Sequence, residues 1–258
     1  MKPAIRNRTL ILGGVISYLF FLLALAPASL VQHWLPAASG LRVSGLQGTL
    51  WAGQAASVQI QQHRLTAVNW SFNAWKLFSG QLAAEVEARY RDSTIRTGLG
   101  LTATGALILE NTRAQLDAAT VGELAQIPIA QLDGAIDIRL DQAELARGAA
   151  PAASGMILWQ QASITVAESV SLGEVEIRMQ ESSDAPLLAV ISNQGGDIRL
   201  DGEVSVEHNG DYRLQLNMKP SATSSDNIRN SLKMFARPQN DGSYQVDNQG
   251  NLKQLGLM

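Results

Sequence analysis

The stretch Gly45-Leu46-Gln47-Gly48-Thr49-Leu50-Trp51-Ala52-Gly53 (GLQGTLWAG) is the first place where residue types and spacing suggest chemistry. Closely spaced glycines can open a backbone loop around a phosphate. Such a loop needs lysine and then serine or threonine after its last glycine. Gln54 and Ala55 stand there instead. A dinucleotide site needs a strand, then glycines, then a helix. Gly98-x-Gly100 is followed by strand-like residues. Both glycine sets therefore read as turns, bulges or points of close backbone approach.

Other reactive groupings fare no better. Cysteine is missing, which removes thiolate nucleophiles, disulfides and thiolate metal sites. The histidines His33, His63 and His208 have no metal-like partners nearby in sequence. Asp133, Asp137 and Asp141 repeat every four residues, as cation ligands could. On a strand that spacing lines one wet face, and no calcium-loop spacing accompanies it. No Gly-x-Ser-x-Gly elbow occurs. The sequence predicts no catalytic residue, no cofactor and no metal, and hence no enzyme.

Charge narrows the partners. The chain carries 20 Lys and Arg against 23 Asp and Glu. Its first acid is Glu85, and Lys2, Arg6, Arg8, Arg42, Arg64 and Lys76 all precede it. Residues 85–258 therefore hold 14 basic and 23 acidic side chains, a net of −9. An acidic body disfavours nucleic acid and bare anionic lipid surfaces.

The elements that must position these residues begin with an apolar run. From Thr9 to Val31 no charge interrupts TLILGGVISYLFFLLALAPASLV. At about 1.5 Å per residue it is long enough for a hydrocarbon core of roughly 30 Å. Lys2, Arg6 and Arg8 precede it, which predicts residues 1–8 as a cytoplasmic tail, 9–31 as a transmembrane helix and the rest outside. Trp34 follows at the exit, where an interfacial tryptophan is expected. A cleavable signal is the rival reading, with Ala24-Leu25-Ala26 as its cleavage site. Pro27 and the length of the run argue for a retained anchor. Whether the segment is cleaved stays open here.

Beyond residue 57, period-two alternation dominates. Val58 and Ile60, then Val68, Trp70 and Phe72, then Leu82, Val86 and Tyr90 alternate with polar neighbours. So do Ile136, Ile138 and Leu140, then Val175, Ile177 and Met179, then Tyr212, Leu214, Leu216 and Met218. Each predicts a strand with one apolar and one wet face. Asn209-Gly210 and Asp241-Gly242 mark hairpins. The fold class is thus mostly β: one membrane helix, then a largely antiparallel, curved sheet with a few short helices.

Helical signals are sparse. Asn73–Ser79 predicts one short turn, and Thr120 with Glu123 a capping box opening a helix over 120–126 that Pro128 stops. Ile228, Leu232 and Phe235 predict a helix over 225–236, ended by Pro238. The small-residue stretch 148–155 reads as a linker between β-rich halves 32–147 and 156–258. Asp133-Gly134 and Asp201-Gly202 share a DG-x-Φ-x-Φ shape, each read as opening a strand after a tight turn.

The anchor followed by this glycine stretch resembles type II secretion system protein N, the GspN family. The family motif has the form V-x-G-x-x-G-(S/T)-(L/V)-W-x-G-x-A. Val43, Gly45, Gly48, Thr49, Leu50, Trp51, Gly53 and Ala55 match it. NWSFNAWKLFSGQL (69–82) and the tail with YRLQLNMKP, a short helix and a final hairpin agree. The resemblance implies an inner-membrane accessory of the machine that exports folded proteins through the outer membrane. It implies a periplasmic body, other secretion-system proteins as partners, and no enzymatic role.

Gly45, Gly48, Leu50, Trp51 and Gly53 are accordingly read as a structural motif. The first two glycines turn the chain into its first strand. Leu50 or Trp51 anchors the core, and Gly53 permits a bulge or close approach. Three functional readings stay open. One is an interaction module whose exposed sheet edge recruits partner strands. Another is an AsmA-like module that binds or transfers lipid in an apolar trough. A periplasmic hydrolase is a third. The first two differ in whether helices seal the ends of the sheet.

Overall fold

The computed structural model describes residues 4–30, 40–60, 62–125, 130–166, 168–181, 185–222 and 224–252. Helix α1 (Ala4–Ala24) comes first. Strands β1 (Leu41–Ser44), β2 (Gln47–Gly48), β3 (Ala52–Ile60) and β4 (His63–Phe72) lead to a 3₁₀ turn, Ala74–Ser79. Then come β5 (Gln81–Tyr90), β6 (Ser93–Thr102), β7 (Leu107–Asp117), helix α2 (Ala118–Leu124), β8 (Gln131–Leu145) and β9 (Ala152–Thr165). The chain continues through β10 (Ser169–Gln180), β11 (Leu187–Gln194), β12 (Ile198–Val206) and β13 (Asp211–Pro220). Helix α3 (Asp226–Phe235), β14 (Arg237–Pro238) and β15 (Tyr244–Asn251) complete it.

All these strands form one sheet, in the order β1-β3-β4-β5-β6-β7-β8-β9-β10-β11-β12-β13-β15-β14, with β2 paired to β3 off that path. Every pairing is antiparallel. The predicted meander is present, and the turns are the predicted ones. Gly210 (φ 90°) closes the β12–β13 hairpin and Gly242 (φ 79°) lies in the turn before β15. The segment 148–155 holds a turn and the first residues of β9. Ser154 pairs with Gln142 and Gly155 with Leu140, so the sheet runs through it.

Period two sorts the sheet into an apolar and a polar face. The register carries the apolar face from strand to strand: Trp70 opposite Val86, Leu99 opposite Leu109, Leu116 opposite Ile136, Ile136 opposite Trp159 and Leu216 opposite Val246. Bulges keep the faces in phase along the longer strands. Ala67 (φ 47°), Asn111 (φ 47°) and Gln161 (φ 50°) are non-glycine residues in the left-handed region. Each sits where a register shift occurs, and each adds local twist.

Burial is uneven. Leu172, Val175, Ile198, Leu200, Met218 and Tyr244 form one buried cluster with Ile228 and Leu232 of α3. A smaller cluster holds Ala55, Val68 and Ala88, with Trp70 and Val86 against it. Among the described residues no large side chain is wholly buried. Helix α3 follows the prediction: the Ser225 hydroxyl accepts from the Ile228 N–H at 3.3 Å. The Phe235 side chain, Pro128, Trp34 and His33 lie outside the described residues.

Two expectations need correction. Helix α2 begins at Ala118, and its N-cap Asp117 makes no side-chain cap bond. Thr120 is an internal, 4% exposed residue whose hydroxyl accepts from Arg91. Burial and an arginine partner outcompeted the local capping pattern. The two Asp-Gly pairs do not open strands. Gly134 sits inside β8 at a bulge, φ 108°, and Gly202 sits mid-strand in β12 against Leu216.

Among the described residues no helix is long and apolar enough to cross a membrane. The side chains of α1 are described from Leu10, and residues 10–24 extend about 22 Å at 1.5 Å per residue. Their apolar groups stand free of the sheet: Leu10 is 67% exposed, Val15 49% and Phe20 65%.

Candidate functional site at the helix–sheet junction

The glycine stretch lies where the end of α1 meets the sheet. Pro27 bridges to Thr49. The Ala28 N–H donates to the Gly48 carbonyl at 3.0 Å, and the Leu50 N–H to the Ala26 carbonyl at 2.9 Å. Ala26 and Ala28 are 5% and 1% exposed. Small side chains let the two backbones meet at hydrogen-bond range.

Tryptophans fasten this joint from both sides. Trp51 Nε1–H donates to the Leu23 carbonyl at 2.8 Å, near the helix C-terminus, where the same oxygen also accepts from the Ala26 N–H at 3.2 Å. Trp70 Nε1–H donates to the Leu50 carbonyl at 3.1 Å. The Trp51 ring meets Phe72 edge-on, 5.2 Å between centroids at 70°. Leu50 and Trp51 are both half-buried, so neither is a fully enclosed core anchor.

The glycines are required by space and by backbone angle. Gly45 and Gly48 have φ of +66° and +89°. A Cβ on Gly48 would lie 2.6 Å from the Ala52 carbonyl oxygen. A Cβ on Gly53 would lie 2.5 Å from the Trp70 ring and 2.6 Å from the Gln47 carbonyl oxygen. These five residues thus meet in one place, and what they build is a rigid joint.

Among the described residues every buried side-chain polar atom has a hydrogen-bond partner. Beneath the 3₁₀ turn, on the polar face, Asn69, Ser71, Lys76, Glu85, Arg96 and Glu110 line an open hollow of about 390 Å³. Its two cations are engaged, Lys76 with Glu110 and Arg96 with Glu87 at 3.0 Å. Arg91 bonds Glu123 at 2.5 Å, and that carboxylate raises the guanidinium pKa above its ordinary value. His63 Nδ1 lies 2.9 Å from the Tyr90 hydroxyl, and His208 is in the β12–β13 turn. Asp137 pairs with Arg139 at 2.7 Å. Among the described residues no group of His, Asp and Glu is placed to hold a metal.

Sequence reasoning missed a second feature, on the same strand ends as the joint. Leu82, Leu101, Leu107 and Leu145 are direct partners across four adjacent strands. They are 51%, 46%, 38% and 48% exposed. The 3₁₀ turn that leads into β5 carries Trp75 and Phe78, 81% and 86% exposed. The signal was available: in a 3₁₀ turn, residues three apart eclipse, and these two rings lie 5.8 Å apart.

Comparison with known proteins points to one family. Residues 39–247 match the family described as Type II secretion system (T2SS), protein N. The chain is 27% identical over 246 residues to Type II secretion system protein N of Aeromonas hydrophila, covering 92% of this chain and 96% of that protein. It is 26% identical over 236 residues to the protein of that name from Vibrio cholerae serotype O1, covering 88% and 91%. No solved structure matches. The match takes in the glycine motif and nearly the whole sheet, and the chain belongs to the type II secretion system protein N family.

Proposed function

We propose that this chain is an inner-membrane-anchored periplasmic accessory of the type II protein secretion machinery. It acts by structure and contact, without chemistry of its own. Membership of the protein N family carries this reading. The uncharged run from Thr9 to Val31 supports the anchor, with three basic residues before it. The free-standing apolar side chains of α1 support it too. The positive flank supports an N-terminus in the cytoplasm and a sheet in the periplasm.

The test is recovery of the tagged full chain, crosslinked in its own host. Fractionation with the inner membrane and co-purification of other secretion-system proteins is the expected result. Recovery in the soluble fraction, or with none of those proteins attached, defeats the proposal. A lipid-handling role has one observation in its favour: the cluster under α3 spans β9 to β15, while leucines nearer the joint stay open. Native mass spectrometry of the detergent-extracted protein distinguishes the two, since a trough would retain lipid.

A further inference from the structure

We propose that the ridge of Trp75, Phe78, Leu82, Leu101, Leu107 and Leu145 seats on the surface of the bilayer that α1 enters. This rests on the anchor reading above. The sheet would then stand on the membrane by its strand ends, with α1 as a post at one side.

Three observations point to a bilayer as the occupant. The first is placement. The joint binds the end of α1 to the start of β3 through Trp51 and Leu50. Phe72, at the end of β4, packs on Trp51 and pairs with Ala84 of β5. Leu82 is two residues nearer the start of β5, and Leu101, Leu107 and Leu145 continue that row. The ridge and the helix end therefore share one end of the sheet. Three strand intervals of roughly 4.8 Å make the leucine row about 14 Å long.

The second is composition. Leu23 and Leu25 at the end of α1 are 56% and 68% exposed. Both the helix end and the strand ends on its side of the sheet therefore expose apolar side chains. Trp75 and Phe78, on the turn that leads into β5, are residue types that favour the headgroup level. Apolar groups gathered in one exposed place mark an interaction surface.

The third is charge. Lys76, the cation within the 3₁₀ turn, is bonded to Glu110 on the polar face. It is directed away from service as a headgroup clamp. Residues 85–258 carry a net charge of −9, which repels anionic headgroups from the rest of the body. Contact through the ridge is apolar and insensitive to salt.

The natural sequence lacks cysteine, so single cysteines can carry an environment-sensitive fluorophore. Trp75→Cys and Phe78→Cys report the ridge. Ile60→Cys and Val166→Cys, 46% and 63% exposed at the opposite strand ends, report the far rim. Leu19→Cys reports α1. The full chain is placed in nanodiscs of phosphatidylethanolamine and phosphatidylglycerol containing spin-labelled lipid. Loss of emission at positions 75, 78 and 19, with none at 60 and 166, is the expected result, unchanged at high salt. Loss at 19 alone overturns the ridge proposal and leaves the anchor standing. No loss at 19 removes the anchor and the proposal with it. Equal loss at both rims means unspecific adsorption, and loss abolished by salt means headgroup attraction; either overturns it.

Discussion

Strands β12 to β15 and strands β5 to β8 carry the same alternation and differ in what lies over their apolar face. Over the first group α3 lays Ile228 and Leu232, 7% and 3% exposed, against Leu200, Met218 and Tyr244. At the ends of β5 to β8 nearest α1, four partnered leucines remain at least 38% exposed. Alternation alone makes a face apolar. It takes a further element, here an amphipathic helix, to make that face a core.

Substitutions can break or sharpen that contrast. The largest effect is expected under the helix: Leu232→Ala should cost about 2–5 kcal/mol in urea unfolding of the detergent-solubilised chain. A cost equal to that of Leu101→Ala would erase the distinction. Next is the joint. Gly48→Ala forces a side chain into φ +89°, a strain of about 1–3 kcal/mol. Hydrogen exchange at residues 48–52 should rise with it, and unchanged exchange would show that the joint is not fastened there. Trp51→Phe keeps the ring but loses the bond to Leu23, about 1 kcal/mol, and thermal unfolding should register a small drop. Leu101→Ala should stay within about 0.5 kcal/mol, since its side chain is 46% exposed.

The smallest effect concerns pH. The Ser243 hydroxyl and N–H both donate to the Asp241 carboxylate and lower its pKa below the ordinary value of 3.8. Its contribution to the β14–β15 turn is complete above that ordinary value. It is lost only as pH falls through the lowered one. The Ser243 amide resonance should therefore move below pH 3.8; movement centred above it would refute the assignment.

Much of this molecule was legible in its residues, because period two fixes strand and face together. The hairpin glycines and the Ser225 cap were equally plain, being local signals with local causes. The start of α2 was not legible, since the partner of Thr120 comes from Arg91, far along the chain. Nor were the bulges at Ala67, Asn111 and Gln161, which answer to register across strands. At the joint, glycine spacing announced a tight approach. What approached, the carbonyl of Leu23 and the backbone of Ala26 and Ala28, depends on how helix and sheet meet. The open leucine row was hidden because an exposed leucine and a covered one share the same alternation.

The strand order has a consequence for how the molecule is made. From β3 to β13 each strand lies beside the one synthesised just before it. A growing chain therefore finds its only template already laid down, and no rung waits for a distant segment. Contacts of short sequence separation form quickly, so assembly can advance like a zipper from the joint outward. Only the last step waits: β15 must clear α3 before it reaches β13.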